Sequence, residues 1–167
     1  MSLVYAWLEW LETTDLSLFL QQSPWAFPTI ESTHVLAISL VIGTIAVLDL
    51  RLLGLASVKW PVADLAHFVL PYTWGAFLFA AMTGALMFTS QPTGYFANLD
   101  FRAKMLVLLA AAANMLVFHF LTGRDFRAWD REAAVPVAGK IAGALSLTCW
   151  IAIVFLGRQI GFTMGAQ

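Results

Sequence analysis

The sequence predicts an all-α membrane protein: a four-transmembrane-helix bundle with an N-terminal interfacial amphipathic helix. Three observations carry this. Of the 167 residues, 60% are hydrophobic and only 11% charged, against about 25% charged in a soluble domain; mean hydropathy is +0.80. Four stretches, 32–48, 65–99, 105–123 and 141–157, contain no Asp, Glu, Lys or Arg. The nine Lys and Arg residues are also unevenly distributed along the chain. A chain of this length fits a single membrane domain over 1–167.

Residues 3–12 (Leu-Val-Tyr-Ala-Trp-Leu-Glu-Trp-Leu-Glu) are shorter than the ~20 residues a span needs. Their Trp, Leu and Tyr suit a helix lying in the membrane interface, in contact with lipid, or equally a lid packed on the bundle. Transmembrane helices are expected at about 31–53, 63–90, 101–122 and 138–162. Pro92-Thr93-Gly94 is read as the turn that ends the second of these. In the fourth, Gly139-x-x-x-Gly143 beside Ala142-x-x-x-Ser146 gives a face of small residues. Such a face packs closely within a bundle or between subunits, and a homo-oligomer is expected.

Orientation follows from the loop cations. The connection between spans one and two holds Arg51 and Lys59, and that between three and four holds Arg124, Arg127, Arg131 and Lys140. The opposite side has Arg102, Lys104 and Arg158, and the first 50 residues have no Lys or Arg. The six-cation side is therefore expected in the cytoplasm and both termini outside, in the periplasm for a multi-pass protein of a bacterial inner (plasma) membrane. The N-terminus lacks the basic region of a cleavable signal peptide. A net charge of −1 leaves no footprint for nucleic acid, and the single cysteine, Cys149, excludes an intrachain disulfide or a CxxC motif.

His34, His67 and His119 lie within or at the edge of the apolar segments. An ionisable group at the centre of a membrane helix costs at least about 2.5–3.5 kcal/mol, so each needs a reason. At 1.5 Å per residue, His34 lies about 5 Å below the outer surface, close to Glu31, Arg102, Lys104 and Arg158. His67, three residues after Asp64, and His119, five before Arg124, share an inner layer with Asp49. The two layers are about 20 Å apart in a core of ~30 Å.

A b-type haem needs one or two axial nitrogens, an apolar slot and cations for its propionates. His67 and His119 are candidate axial ligands of an inner haem. His34 is a candidate ligand of an outer haem, with Arg102, Lys104 and Arg158 as propionate partners. Met82, Met87, Met105 and Met164 are candidate sixth ligands, and Ala110–Ala113 forms a smooth surface for a flat macrocycle. Each feature has a plainer reading: an interhelical hydrogen-bonding histidine, core or lipid-facing methionines, ordinary small-residue packing, interfacial anchors. Glu31-x-x-His34 also puts two metal-ligating side chains on one helix face. That admits an outer copper or zinc site, completed by other subunits.

The run Ile30-Glu31-Ser32-Thr33-His34-Val35-Leu36 and the segment Asp49-Leu50-Arg51-Leu52-Leu53-Gly54 resemble a bacterial family of four-helix inner-membrane proteins of uncharacterised activity. Leu70-Pro71-Tyr72-Thr73-Trp74, Phe101-Arg102-Ala103-Lys104, Asn114 with Phe118-His119, and Ala142-Gly143-Ala144-Leu145-Ser146 resemble its other landmarks. The resemblance covers nearly the whole chain and implies a topology but no activity. The layout is also loosely similar to di-haem four-helix b-type cytochromes, an architectural analogy. The expected function is electron transfer across or within the membrane by one or two b-type haems, possible copper aside, as an oxidoreductase or electron-transfer component. Its partner would be a quinone or a periplasmic electron-transfer protein. The alternatives are a proton-relay or transport component and a cofactor-free accessory subunit.

Overall fold

The computed structural model describes residues 3–118 and 135–165. Those residues form seven helices: α1 Leu3–Glu12, α2 Asp15–Gln22, α3 Ala26–Leu53, α4 Val62–Ser90, α5 Pro92–Ala97, α6 Leu99–Val117 and α7 Val137–Gly165. Three of them, α3, α4 and α7, are long and apolar enough to cross a membrane. The described part of α6 is shorter and carries Asp100, Arg102 and Lys104 in its first two turns.

Local chemistry explains most helix ends. α3 starts at Ala26 rather than near residue 31, with Pro28 in its first turn, where a missing N–H costs nothing. It stops at Gly54, whose φ of 76° is left-handed, and the Leu55 N–H closes back on the Leu50 carbonyl at 2.9 Å. α6 starts at Asn98, whose side chain accepts the Phe101 N–H at 3.0 Å and donates to Thr163 at 2.8 Å. Pro92 opens the short helix α5 instead of a simple turn, because proline is preorganised for the first helical position. α2, which the apolar periodicity does not announce, is capped by Thr14 with Asp15 in its first turn.

The N-terminal pair packs on the bundle and leaves an apolar face outward. Leu8 is buried, Glu12 accepts from the Thr93 hydroxyl at 2.7 Å, and Tyr5 meets Phe96 edge to face. Trp7 and Trp10 on the other face are exposed. α2 buries Ser17, whose hydroxyl donates to the Ser90 carbonyl at 3.4 Å.

In the bundle, α3 packs against α4 and α7, and α6 packs against α7. Between apolar helices in lipid no hydrophobic force selects a register, so packing and interhelical hydrogen bonds do, at about 0.6 kcal/mol per bond. Two such bonds set α3 on α4. His34 pairs with Thr83 at 2.9 Å, and Thr73 donates to Thr44 at 2.8 Å. Ten residues forward on α3 are ten back on α4, the signature of an antiparallel pair. On the other side, Asn114 donates to the Ala142 carbonyl at 3.0 Å. At mid-height Val41, Ala76, Ala111, Trp150 and Ile153 form the buried core.

The small-residue face of α7 packs within the chain. A Cβ added to Gly143 would lie 3.1 Å from the Asp49 carbonyl oxygen and 3.1 Å from the Leu52 Cβ, so α3 and α7 touch backbone to backbone there. Toward the other end of the pair the helices leave room.

Candidate functional site

That room is a cavity of about 1730 Å³ at the His34 end of the bundle, bounded by α3, α4, α6 and α7, with α2 and α5 at its rim. It exceeds the ~300–1,000 Å³ of ordinary small-molecule pockets. Its walls are mainly apolar. Phe88 and Phe101 stack at 5.6 Å, Tyr95 lies 5.4 Å from Phe101, and Phe77 meets Trp150 edge to face.

His34 stands on the α3 wall, half-buried. Its Nδ1 is 2.9 Å from the Thr83 hydroxyl oxygen, which also lies 2.9 Å from the Phe79 carbonyl and 3.1 Å from the Ala80 carbonyl. A hydroxyl has one proton. Given to a helix carbonyl, as Thr44 and Thr148 give theirs, it leaves the Thr83 oxygen to accept from His34 Nδ1–H. Both protons are then used. Given to Nδ1 instead, it would forfeit one of the two bonds. The ring's other protein contact, the Ala80 carbonyl, is likewise an acceptor. The hydrogen-bond count therefore favours the proton on Nδ1, with the lone pair on Nε2. This is the tautomer of a ligating histidine whose second nitrogen is anchored to the protein.

Gly84 gives the ring its space. A Cβ there would lie 3.0 Å from His34 Cε1, tighter than nine in ten real Cβ contacts. Lys104, on α6, is half-buried, acts on His34 electrostatically, and lays its ammonium over Gly157 of α7, 3.4 Å from where a Cβ would be. Arg158 is exposed, stacked 4.6 Å above the Phe162 ring, and borders the same cavity. Glu31 is at the rim near Tyr95; burial pushes the Tyr95 phenol up, and the Glu31 carboxylate adds to this.

Four of the five groups expected in one layer thus border one cavity: Glu31, His34, Lys104 and Arg158. Arg102 does not; it is exposed, on a different face of α6. Of the expected methionine ligands, Met87, Met105 and Met164 line the cavity, whereas Met82 is exposed and outside it. The alanine run of α6 is not the smooth wall. Ala111 is in the mid-height core and its neighbours are exposed. Ala80, Ala81, Gly84 and Ala85 of α4 are the small residues that face the space. At the opposite end, His67 is exposed on α4, roughly 24 Å along the helix from Thr83. His119 lies outside the described residues.

No group of three or more His, Cys, Asp or Glu side chains is placed to hold a metal among the described residues. Among the described residues, Glu31 and His34 therefore gain no third ligand of those types. Comparison with protein-family models, curated proteins and solved structures finds no match. Sequence reasoning missed Thr83 and Gly84. Their signal is a hydroxyl residue and a glycine at the level of a histidine, visible only once the antiparallel register of α3 and α4 is known.

Proposed function

We propose that this chain is a four-span protein of a bacterial inner membrane that holds a b-type haem at the His34 end and serves electron transfer across or within the bilayer. One observation carries the reading: an imidazole held by Thr83 through Nδ1, on the wall of a cavity that two cations also border. His34 would be the axial ligand. Lys104 and Arg158 would meet the propionates, and Met87, Met105 or Met164 would be the candidates for the sixth position. Haem supplies one-electron chemistry; the chain supplies orientation, an apolar wall and countercharge. Arg102 would serve as an interfacial anchor.

In this reading the apolar segment at about 101–122 is the fourth span. The six-to-three cation bias supports a periplasmic location for both termini. The outward Trp7 and Trp10 suit an α1 that rests in the lipid interface. A second haem on His119, with or without His67, would sit about 20 Å away. The alternative occupant of Glu31 and His34 is copper, shared between copies of a homo-oligomer. The electron partner would be a quinone or a periplasmic protein.

Colour tests the reading. The full chain, purified from membranes in mild detergent, is expected to be red, with a Soret band and iron in proportion. His34→Ala is expected to lose or shift that band while still inserting. A colourless wild type reconstituted with excess haem, or a His34→Ala spectrum identical to wild type, excludes the His34 site.

A further inference from the structure

The other end of α3 holds a polar group that the haem reading does not use. Asp49 is 4% exposed, four residues before the end of the helix. Gly143 of α7 packs closely against its backbone. The Ser146 hydroxyl donates to its carboxyl. Its second oxygen, Oδ2, is fully buried with no hydrogen-bond partner among the described residues.

A carboxylate is badly placed there for three independent reasons. It is shielded from water near the end of a spanning segment, where burying an unpaired charge is costly. It sits toward the C-terminal, negative end of the helix dipole, which repels an anion. And no described cation neutralises it. On its own helix, Arg51 gives its Nε–H to the Trp60 carbonyl at 2.7 Å. On α7, Lys140 is exposed, and on α4 both Asp64 and His67 are exposed. Something must satisfy Oδ2. A Ca²⁺ or Mg²⁺ ion needs about six or more oxygen ligands, and among the described residues the seam offers one carboxylate and one hydroxyl as side-chain ligands. A proton needs one atom.

We propose that Asp49 is a proton-binding site: its carboxyl carries a proton on Oδ2 in the resting protein, and Ser146 holds the other oxygen. The group exchanges that proton with the aqueous phase at its own end of the bundle. The chain then bears a proton site and a cofactor site at opposite ends of α3, fifteen residues or roughly 22 Å apart along the helix. The proton site stands on the α3–α7 seam alone and does not rest on the haem reading.

N,N′-dicyclohexylcarbodiimide, which enters lipid and reacts with carboxylic acids, tests this in membranes containing the full chain. The acid proton moves to a carbodiimide nitrogen and the carboxyl oxygen bonds to the central carbon. The adduct then rearranges to a stable N-acylurea, with no redox step and no leaving group. Peptide mass mapping is expected to find the adduct on Asp49, to lose it in Asp49→Asn, and to find less of it as the medium is made alkaline. Infrared spectra are expected to show a carboxylic-acid carbonyl band that Asp49→Asn removes and Ser146→Ala shifts. Ser146→Ala keeps the carboxyl and so remains informative if Asp49→Asn fails to fold. An unlabelled Asp49 in wild type, as a cation from elsewhere in the chain would produce, overturns the proposal. So does an acid band that both variants leave unchanged.

Discussion

The two ends of the α3–α7 pair use glycine for opposite purposes. At the Asp49 end, Gly143 lets the backbones meet, with 3.1 Å left for a Cβ that is not there. At the His34 end, Gly161 of the same helix faces open space, with nothing within 4 Å, and Gly157 lies under the Lys104 ammonium. One end is sealed and hides a carboxyl; the other is splayed and directs an imidazole and two cations into a cavity. A small-residue pattern in a membrane helix therefore does not by itself mean close packing. What decides is the partner: backbone and Leu52 in one case, a long cationic side chain or nothing in the other.

The strongest way to break this contrast is to fill each glycine. Gly143→Leu must push α3 and α7 apart where they are held backbone to backbone. Overpacking of this kind costs about 1–3 kcal/mol or more. A clear drop in the thermal unfolding midpoint in detergent is expected, with loss of the Asp49 seam. Gly161→Ala, filling open space, is expected to leave the midpoint unchanged or slightly higher, since alanine favours helix by up to ~1 kcal/mol. Equal losses in the two variants would show that the ends do not differ.

A smaller effect is expected at Gly84, where the obstacle is the edge of an imidazole rather than a backbone. A Cβ at 3.0 Å from Cε1 makes the ring give by a few tenths of an ångström, and the ring can turn about its side-chain bonds. Gly84→Ala is expected to keep the fold and its unfolding midpoint but to retain haem several-fold less well. Haem-to-protein ratio after dilution measures this. Full retention would mean that the ring has slack and that Gly84 is not fitted to it.

How much of this was legible in the sequence differs between the ends. Long charge-free runs disclose α3, α4 and α7, because lipid demands uninterrupted apolar length. The one-face spacing of Glu31 and His34, with Lys104 and Arg158 at similar depth, discloses four members of the cavity. Depth alone cannot give azimuth: Arg102 and Lys104 are two residues apart and point in different directions, as helical geometry requires. His67 shares that difficulty, since its depth says nothing of its exposed face. α2 is too short and too weakly periodic to stand out, though Thr14-Asp15 signals its cap. Thr83, Gly84 and the Ser146–Asp49 contact all need the interhelical register, which comes from tertiary pairing.

The finest test of the His34 end removes one hydrogen bond and keeps the shape. Threonine and valine are nearly isosteric, so Thr83→Val deletes the acceptor of His34 Nδ1–H and little else. The pair is worth about 0.6 kcal/mol, the usual measure of an interhelical hydrogen bond in lipid, which corresponds to about threefold in affinity. Without it the imidazole is free to rotate and to change tautomer, so Nε2 is presented for only part of the time. On the proposed haem reading, Thr83→Val is expected to bind haem about threefold more weakly and to shift the midpoint potential, because an anchored Nδ1–H makes Nε2 a stronger donor. Thr83→Ser, which keeps the oxygen, is expected to restore both. A merely structural role for Thr83 would move stability in both variants and leave the potential alone. If Thr83→Val keeps wild-type affinity and potential, the tautomer is set by something other than Thr83.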